Sequence, residues 1–300
     1  MAFSVGRTRR VAPVRAVFYG PGGIGKSTLA AQAPGAIFLA SEEGLENIDA
    51  EAVEPSPRTW EETLEALDYV ATLNHETLAV DSLDWLEPLV WEYVCRKAKK
   101  PDIESFGYGR GYVAALDQWR VFVHKLSALR AKGMNVLLIA HAIRKPFRNP
   151  MGDDYEHWTI KLHAAAAGLI VEWCDVVGFI SQDVATEDTS GRTKAQTTGK
   201  RIMRTHPDPA YLAKTRFAMP QRIVLPRDGA WAAFARAMRD GDVAQIRQLS
   251  DTLEERIKLV GDAELEKKAR SFVKTNGRTV SVLTEAIQTL DHYLAERKAS

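Results

Sequence analysis

Residues 20–28 read Gly20-Pro21-Gly22-Gly23-Ile24-Gly25-Lys26-Ser27-Thr28. They satisfy the phosphate-binding pattern G-x-x-x-x-G-K-[ST] at every fixed position. The flanks suit it: Ala16–Tyr19 is a short apolar, aromatic run of strand type, and Ser27–Gln32 is an Ala-rich helix former. Strand, Gly-rich loop and helix start are the context the pattern requires. Glycines let backbone N–H groups turn inward around phosphates, and the helix start adds positive potential. In that arrangement Lys26 reaches the β- and γ-phosphates, the Ser27 hydroxyl ligates Mg²⁺, and Gly20 to Thr28 form the cradle. The bland alternative is a flexible Gly-rich turn. The motif predicts nucleoside triphosphate binding, with Lys26 facing solvent when no nucleotide is present.

Working outward, Pro34-Gly35 ends the first helix and Ala36–Ala40 reads as a second buried strand running into Ser41-Glu42-Glu43-Gly44-Leu45. Carboxylates at the carboxyl end of a strand sit where open α/β sheets hold ligands. One of Glu42 and Glu43 can orient and deprotonate a water attacking the γ-phosphate; a solvated acidic turn is the competing reading. Residues 46–58 read as a loop. Thr59 with Glu62 predicts a capping box opening a helix to about Leu73. Thr77–Val80 is an apolar strand delivering Asp81, the position of a carboxylate in the Mg²⁺ shell. A helix is expected over Leu83–Lys99, and then an aromatic, glycine and arginine loop, Phe106–Gly111, that suits either a lid or a nucleic-acid contact. Val113–Lys132 reads as an amphipathic helix. Asn135–Ala140 is the fourth core strand and ends at His141, placed either to sense the γ-phosphate or to serve the fold.

Beyond it, residues 144–160 read as a loop with Pro146, Pro150 and Gly152, and His157–Trp173 as a helix feeding a strand over Cys174–Ser181. Residues 182–198 read as a hairpin tip between that strand and Lys200–Arg204, with Gln221–Leu225 as a further strand. From Arg192 to Arg216 seven basic residues (Arg192, Lys194, Lys200, Arg201, Arg204, Lys214, Arg216) face one acidic residue, Asp208. That local excess can track a phosphate backbone or solvate a hairpin. From Asp240 the composition shifts to three charged helices, Val243–Val260, Ala263–Thr275 and Thr279–Arg297. The expected organisation is a basic tail (1–12), an α/β core (13–240) and a helical appendage (241–300).

Composition narrows the class. The 300 residues carry a net charge of +1 with 26% charged, so no global basic field points to nucleic acid. Cys95 and Cys174 stand far apart in apolar surroundings, which implies a reducing compartment with neither disulfides nor zinc spacing. The basic N-terminus lacks a signal core, and the apolar stretch near Leu169–Ile180 contains Glu172 and Asp175. A cytoplasmic protein with no membrane partner is expected. No N-K-x-D motif supports a GTPase, and Pro21 stands where partition-type ATPases carry an early lysine. A small-molecule kinase and a nucleotide-gated binding module with little turnover remain alternatives.

Taken together, G-P-G-G-I-G-K-S, S-E-E-G-L after the second strand, V-D-S and L-L-I-A-H-A resemble the RecA-like ATP-binding proteins encoded by bacteriophages, including ATPases of single-strand annealing and recombination. The likeness covers about residues 13–240. It implies a RecA-like core with a mainly parallel sheet flanked by helices, ATP and Mg²⁺ as cofactors, hydrolysis, and action on single-stranded DNA in the bacterial host cytoplasm. It further implies a homo-oligomer, either a hexameric ring or a filament, with a single-strand DNA-binding protein as possible company. By the same resemblance Glu42 is the general base and His141 the γ-phosphate sensor. Leu212–Arg216 looks like the Lys-x-Arg finger of DnaB-type hexameric helicases, so Lys214 and Arg216 are expected to complete a neighbouring subunit's site. Nothing in the chain resembles a complete set of recombinase DNA-binding loops.

Overall fold

A computed structural model describes residues 12–42, 44–150, 152–189, 192–276 and 280–299, without side-chain detail at 185–197, 240–245, 280–281 and 296–299. The basic tail, apart from Ala12, therefore lies outside the described residues, as do Glu43 and the side chains of Arg192 and Lys194. The chain divides into two compact units, residues 1–216 with 221–234, and residues 217–220 with 235–300.

The first unit is built on a sheet whose central strands are parallel. Strands β1 (Arg15–Gly20), β2 (Ala36–Ala40), β3 (Glu51–Ala52), β4 (Thr77–Asp81), β5 (Asn135–Phe147) and β7 (Val176–Thr189) lie in the order β7-β1-β5-β4-β2-β3, all parallel. Strands β8 (Arg192–Arg204) and β10 (Arg222–Leu225) extend the β7 edge antiparallel, and short β9 (Lys214–Thr215) also pairs with β7. The central stretches Ala16–Tyr19, Ile37–Ala40, Leu78–Val80 and Val136–Ala140 are apolar and buried because both faces of the parallel sheet are covered there. On one face Val17, Tyr19, Leu39, Val80 and Leu138 join a core with helices α2 (Trp60–Val70), α3 (Leu83–Ala98), α4 (Arg110–Ala131) and α5 (Ala164–Trp173). On the other, Phe18 meets Phe234 edge-on at 5.1 Å between ring centres. Phe234 belongs to α6 (Ala230–Val260), and helix α1 (Lys26–Ala31) follows the phosphate-binding loop. The expected α/β core with a mainly parallel sheet flanked by helices is the one observed.

Three local expectations need correction. Residues 144–160 are not a loop: β5 continues to Phe147 and pairs antiparallel with β6 (Tyr155–Ile160), Ala142 opposite Ile160 and Phe147 opposite Tyr155. Pro146 is tolerated because a two-stranded ribbon leaves one edge of each strand unpaired. The helix expected over His157–Trp173 starts only at Ala164, since the alternation around Trp158 serves this ribbon. The C-terminal helices also differ. α6 runs unbroken for 31 residues, followed by α7 (Ala263–Asn276) and α8 (Val280–Ala299). Within the second unit Leu253, Ile257, Val260, Leu283 and Leu290 form their own buried cluster, which gives these helices an apolar core of their own.

Candidate active site

The parallel strands deliver their functional residues to one sheet edge because each ends there. Gly20 closes β1, Asp81 closes β4, His141 follows the core part of β5, and Ser41-Glu42 follows β2. Gly20 pairs with His141 in register. In an open α/β sheet this carboxyl edge, on either side of the strand where the order reverses, is where ligands bind.

The loop between β1 and α1 has the backbone its glycines were expected to supply. Gly23 and Gly25 take φ of 70° and 92°, a region that L side chains rarely enter. A Cβ on Gly20 would stand 2.2 Å from the carbonyl oxygen of Ile180, so no larger residue fits there. Lys26 departs from expectation, being only 6% exposed. Its ammonium donates to the carbonyl oxygens of Gly20 (3.2 Å) and Pro21 (3.0 Å). Burial lowers its pKa, while Asp81, Asp84 and Glu42 act in the opposite direction. A cation folded back onto its own loop needs no water, which explains how a lysine is buried here.

Ser27 and Asp81 meet directly. The Ser27 hydroxyl donates to Asp81 Oδ2 at 2.5 Å, and Asp81 Oδ1 is buried with no hydrogen-bond partner. Burial raises the Asp81 carboxyl, against the hydrogen bond from Ser27 and the charge of Lys26. A buried carboxylate oxygen without a donor is costly. The pair fits a hard divalent cation, which takes oxygen ligands of this kind. Glu42 is half-buried. Burial and then the charge of Asp81 raise its carboxyl, which also feels His141, Asp84 and Lys26. The structure thus brings Lys26, Ser27, Glu42, Asp81 and His141 together.

Asp84 belongs to the same group and was missed by sequence reasoning. It sits in the first turn of α3, where an acidic residue ordinarily reads as a favourable helix-start charge. Here its carboxylate is buried and accepts the His141 backbone N–H at 2.9 Å and ring Nδ1 at 3.0 Å. Lys161 approaches at 3.5 Å. Burial alone would raise the Asp84 carboxyl, but the backbone N–H and ring of His141, with Lys161, hold it below the ordinary value. With Nδ1 held by Asp84, His141 turns Nε2 toward the phosphate loop, 4.0 Å from where a side chain on Gly22 would begin. One helical turn on, buried Glu87 accepts the backbone N–H of His163 at 2.8 Å.

Lys214 and Arg216 lie elsewhere. Through β9 Lys214 pairs with Val177 at the start of β7, and Arg216 follows with its backbone N–H on Asp175 O, at the opposite end of β1 from the loop. The Lys214 ammonium donates to the carbonyl oxygens of Val171 (2.7 Å) and Glu172 (3.1 Å), capping α5. Arg216 binds Asp175 (3.1 Å) and Glu172 O (2.9 Å). Both therefore work within their own chain and do not reach its phosphate loop. Nor does the basic stretch from 192 to 216 form one free face among the described residues. Arg201 donates to Ile24 O and Pro226 O, and Arg204 to Ser181 Oγ. Among the described side chains of that stretch, Lys200 is exposed.

A glycine-rich loop that can present inward amides, a lysine at its base, and a helix-start hydroxyl bonded to a buried carboxylate at the adjoining strand tip define a P-loop nucleotide-binding protein. Comparison with known families agrees: residues 12–217 match a family model described as an AAA domain. The chain belongs to this AAA domain family. Among solved structures, a KaiC-like protein from Pyrococcus horikoshii OT3 is 12% identical, with 72% of this chain and 88% of that one covered and a TM-score of 0.38. The flagellar accessory protein FlaH from Methanocaldococcus jannaschii is 9% identical over 71% and 86%, with a TM-score of 0.34. No curated protein matches the sequence. No described helix is long and apolar enough to cross a membrane.

Proposed function

We propose that the chain is a Mg²⁺-dependent ATPase of phage type that works on single-stranded DNA in recombination, annealing or replication, as a homo-oligomer. The observation that carries the hydrolytic reading is the Ser27–Asp81 pair, in which the buried Asp81 keeps an unpartnered carboxylate oxygen, set beside Lys26, Glu42 and His141. Ser27 and Asp81 would hold Mg²⁺, which when bound neutralises charge on the phosphates. Lys26 exchanges its carbonyl partners for phosphate oxygens. Glu42, whose raised carboxyl suits a general base, takes a proton from the attacking water. His141 Nε2 meets the γ-phosphate, and Asp84 is a positioning residue that fixes the ring.

Two features support the nucleic-acid part. The β5–β6 ribbon starts one residue past His141 and carries Phe147, Tyr155 and His157 as an aromatic group, with rings 5.0 Å and 5.3 Å from Phe147. Lys145 shares their face, opposite His157, and Arg144 and Arg148 are exposed. Tyr108 is 98% exposed at a φ of 50°, between two left-handed glycines and with Arg110 over its ring. Aromatic rings interleaved with cations suit stacking of unpaired bases. A contribution of Lys214 and Arg216 to a neighbouring subunit remains part of the proposal and requires their release from Asp175 and α5. The test is ATP hydrolysis with and without single-stranded DNA: stimulation supports the reading, equal rates remove the DNA part, and no hydrolysis in either leaves a binding module.

A further inference from the structure

Resting on that nucleotide-binding reading, we infer that the cavity alongside α1 seats the nucleoside end of the nucleotide, and that Arg201 couples nucleoside recognition to the phosphate loop. The cavity measures about 680 Å³, within the size range of small-ligand sites. It starts at Gly23 and Gly25, follows Thr28 and Gln32 along α1, and is closed by Arg201 and by Val224–Arg227. Asp81, Glu42 and His141 are not among its walls. A triphosphate whose terminal phosphate lies at those three groups leaves the loop by its other end, past Thr28.

A second cleft touches the loop at Pro21–Ile24 and is walled by Trp158, Phe179 and Tyr211. Its rings are already paired. Arg144 and Phe179 pack on Trp158, Tyr211 stacks on Phe179, and Arg204 covers Tyr211. It also adjoins the entry of the loop rather than Thr28, so the α1 cavity is the better seat.

Arg201 comes from β8, 177 residues beyond the loop it contacts. Its Nη1 donates to Ile24 O at 3.3 Å and its Nη2 to Pro226 O at 2.5 Å. A Cβ on Gly25 would stand 2.0 Å from Nη1, so the guanidinium lies against the bare side of that glycine. One planar cation therefore ties the loop to the cavity wall while half-exposed to the cavity. A guanidinium is a stacking platform for a nucleobase, and Asn47 and Asp49 on the wall offer groups for hydrogen bonds to base or ribose.

The experiment is calorimetric titration of ATP, ADP and inorganic tripolyphosphate, with Mg²⁺, into the wild-type chain, Arg201→Ala and Val224→Trp. Tripolyphosphate reports the loop alone. Val224 is 52% exposed on β10, the last strand of the sheet, so a tryptophan there fills the cavity without entering the core. Both variants should bind ATP and ADP about tenfold or more weakly, the scale of a desolvated cation–π contact, and tripolyphosphate within about twofold of wild type. ATP affinity unchanged in both variants overturns the inference. So does an equal loss of tripolyphosphate and ATP in Arg201→Ala, which would reduce Arg201 to a brace for the loop. Wild type binding neither ATP nor tripolyphosphate would instead sink the nucleotide-binding reading, and the inference with it.

Discussion

Replacing Asp84 by asparagine keeps the side chain's size, removes its charge and turns one acceptor oxygen into an NH2 donor. The carboxylate, 1% exposed, accepts the backbone N–H and ring Nδ1 of His141 at 2.9 Å and 3.0 Å. Hydrogen bonds to a buried charge contribute about 1.5–3 kcal/mol each and neutral ones about 0.5–1.5. Two such bonds weakened together cost about 2–3 kcal/mol. For a unit of this size that is a fall in melting temperature of roughly 5–10 °C. The ring also loses its fixed orientation, and a misplacement of about 1 Å in a reacting array costs on the order of a hundredfold. Phosphate release at saturating ATP should fall about 10–100-fold, with ATP affinity within about threefold of wild type. If Asp84 acts through His141, Asp84→Asn added to His141→Ala should lower turnover no further. Asp84→Asn with wild-type turnover and melting would refute the positioning role, and additive losses in the double variant would refute its route through His141.

Two further predictions use the remaining carboxylates. Glu42→Gln should keep ATP affinity and lose about 10²–10⁴ in turnover; because burial and Asp81 raise the Glu42 carboxyl, wild-type kcat should fall with decreasing pH already above the ordinary carboxylate range, and the residual rate of the variant should lack that limb. Asp175 is buried and would be raised by burial, yet hydrogen bonding and charge from Arg15, with Arg130, hold its carboxyl below the ordinary value. Its stabilisation is therefore present above the unfolded carboxylate pKa and is lost as pH falls through the lower folded one. Denaturant titrations at neutral and strongly acid pH should show Asp175→Asn destabilised by about 3–5 kcal/mol at neutral pH and much closer to wild type in acid; a constant gap between the two would contradict the linkage.

What could be read from the sequence was what is local. The loop, its two flanking elements, the strand ending at Asp81 and the capping box at Thr59 and Glu62 are each written in fewer than ten consecutive residues, and the box is present as expected. Asp84 was hidden because an acidic residue in a first helical turn has an ordinary explanation, and only the pairing of β4 and β5 with one another brings His141 to it. Arg201 reaches the loop through antiparallel pairing of β8 with β7 and β10, which no short window encodes. The β5–β6 ribbon is hidden from a sequence reading because Pro146, Pro150 and Gly152 signal turns, while His157–Ile160, the last four residues of β6, read as the start of a helix. The phosphate-binding motif places Lys26 in solvent when no nucleotide is present; the two loop carbonyls that accept from it are set by the loop's folded shape, which the motif does not encode.

The central claim is that this loop binds and turns over ATP, and Lys26→Ala tests it most directly. The variant loses the two hydrogen bonds from the ammonium to Gly20 O and Pro21 O, so a thermal melt recorded beside the assay checks that it is folded. Phosphate release from ATP with Mg²⁺, measured beside equilibrium ATP binding, should show turnover in the wild-type chain and loss of binding or turnover in the variant. A folded Lys26→Ala protein that hydrolyses ATP at the wild-type rate would contradict the account.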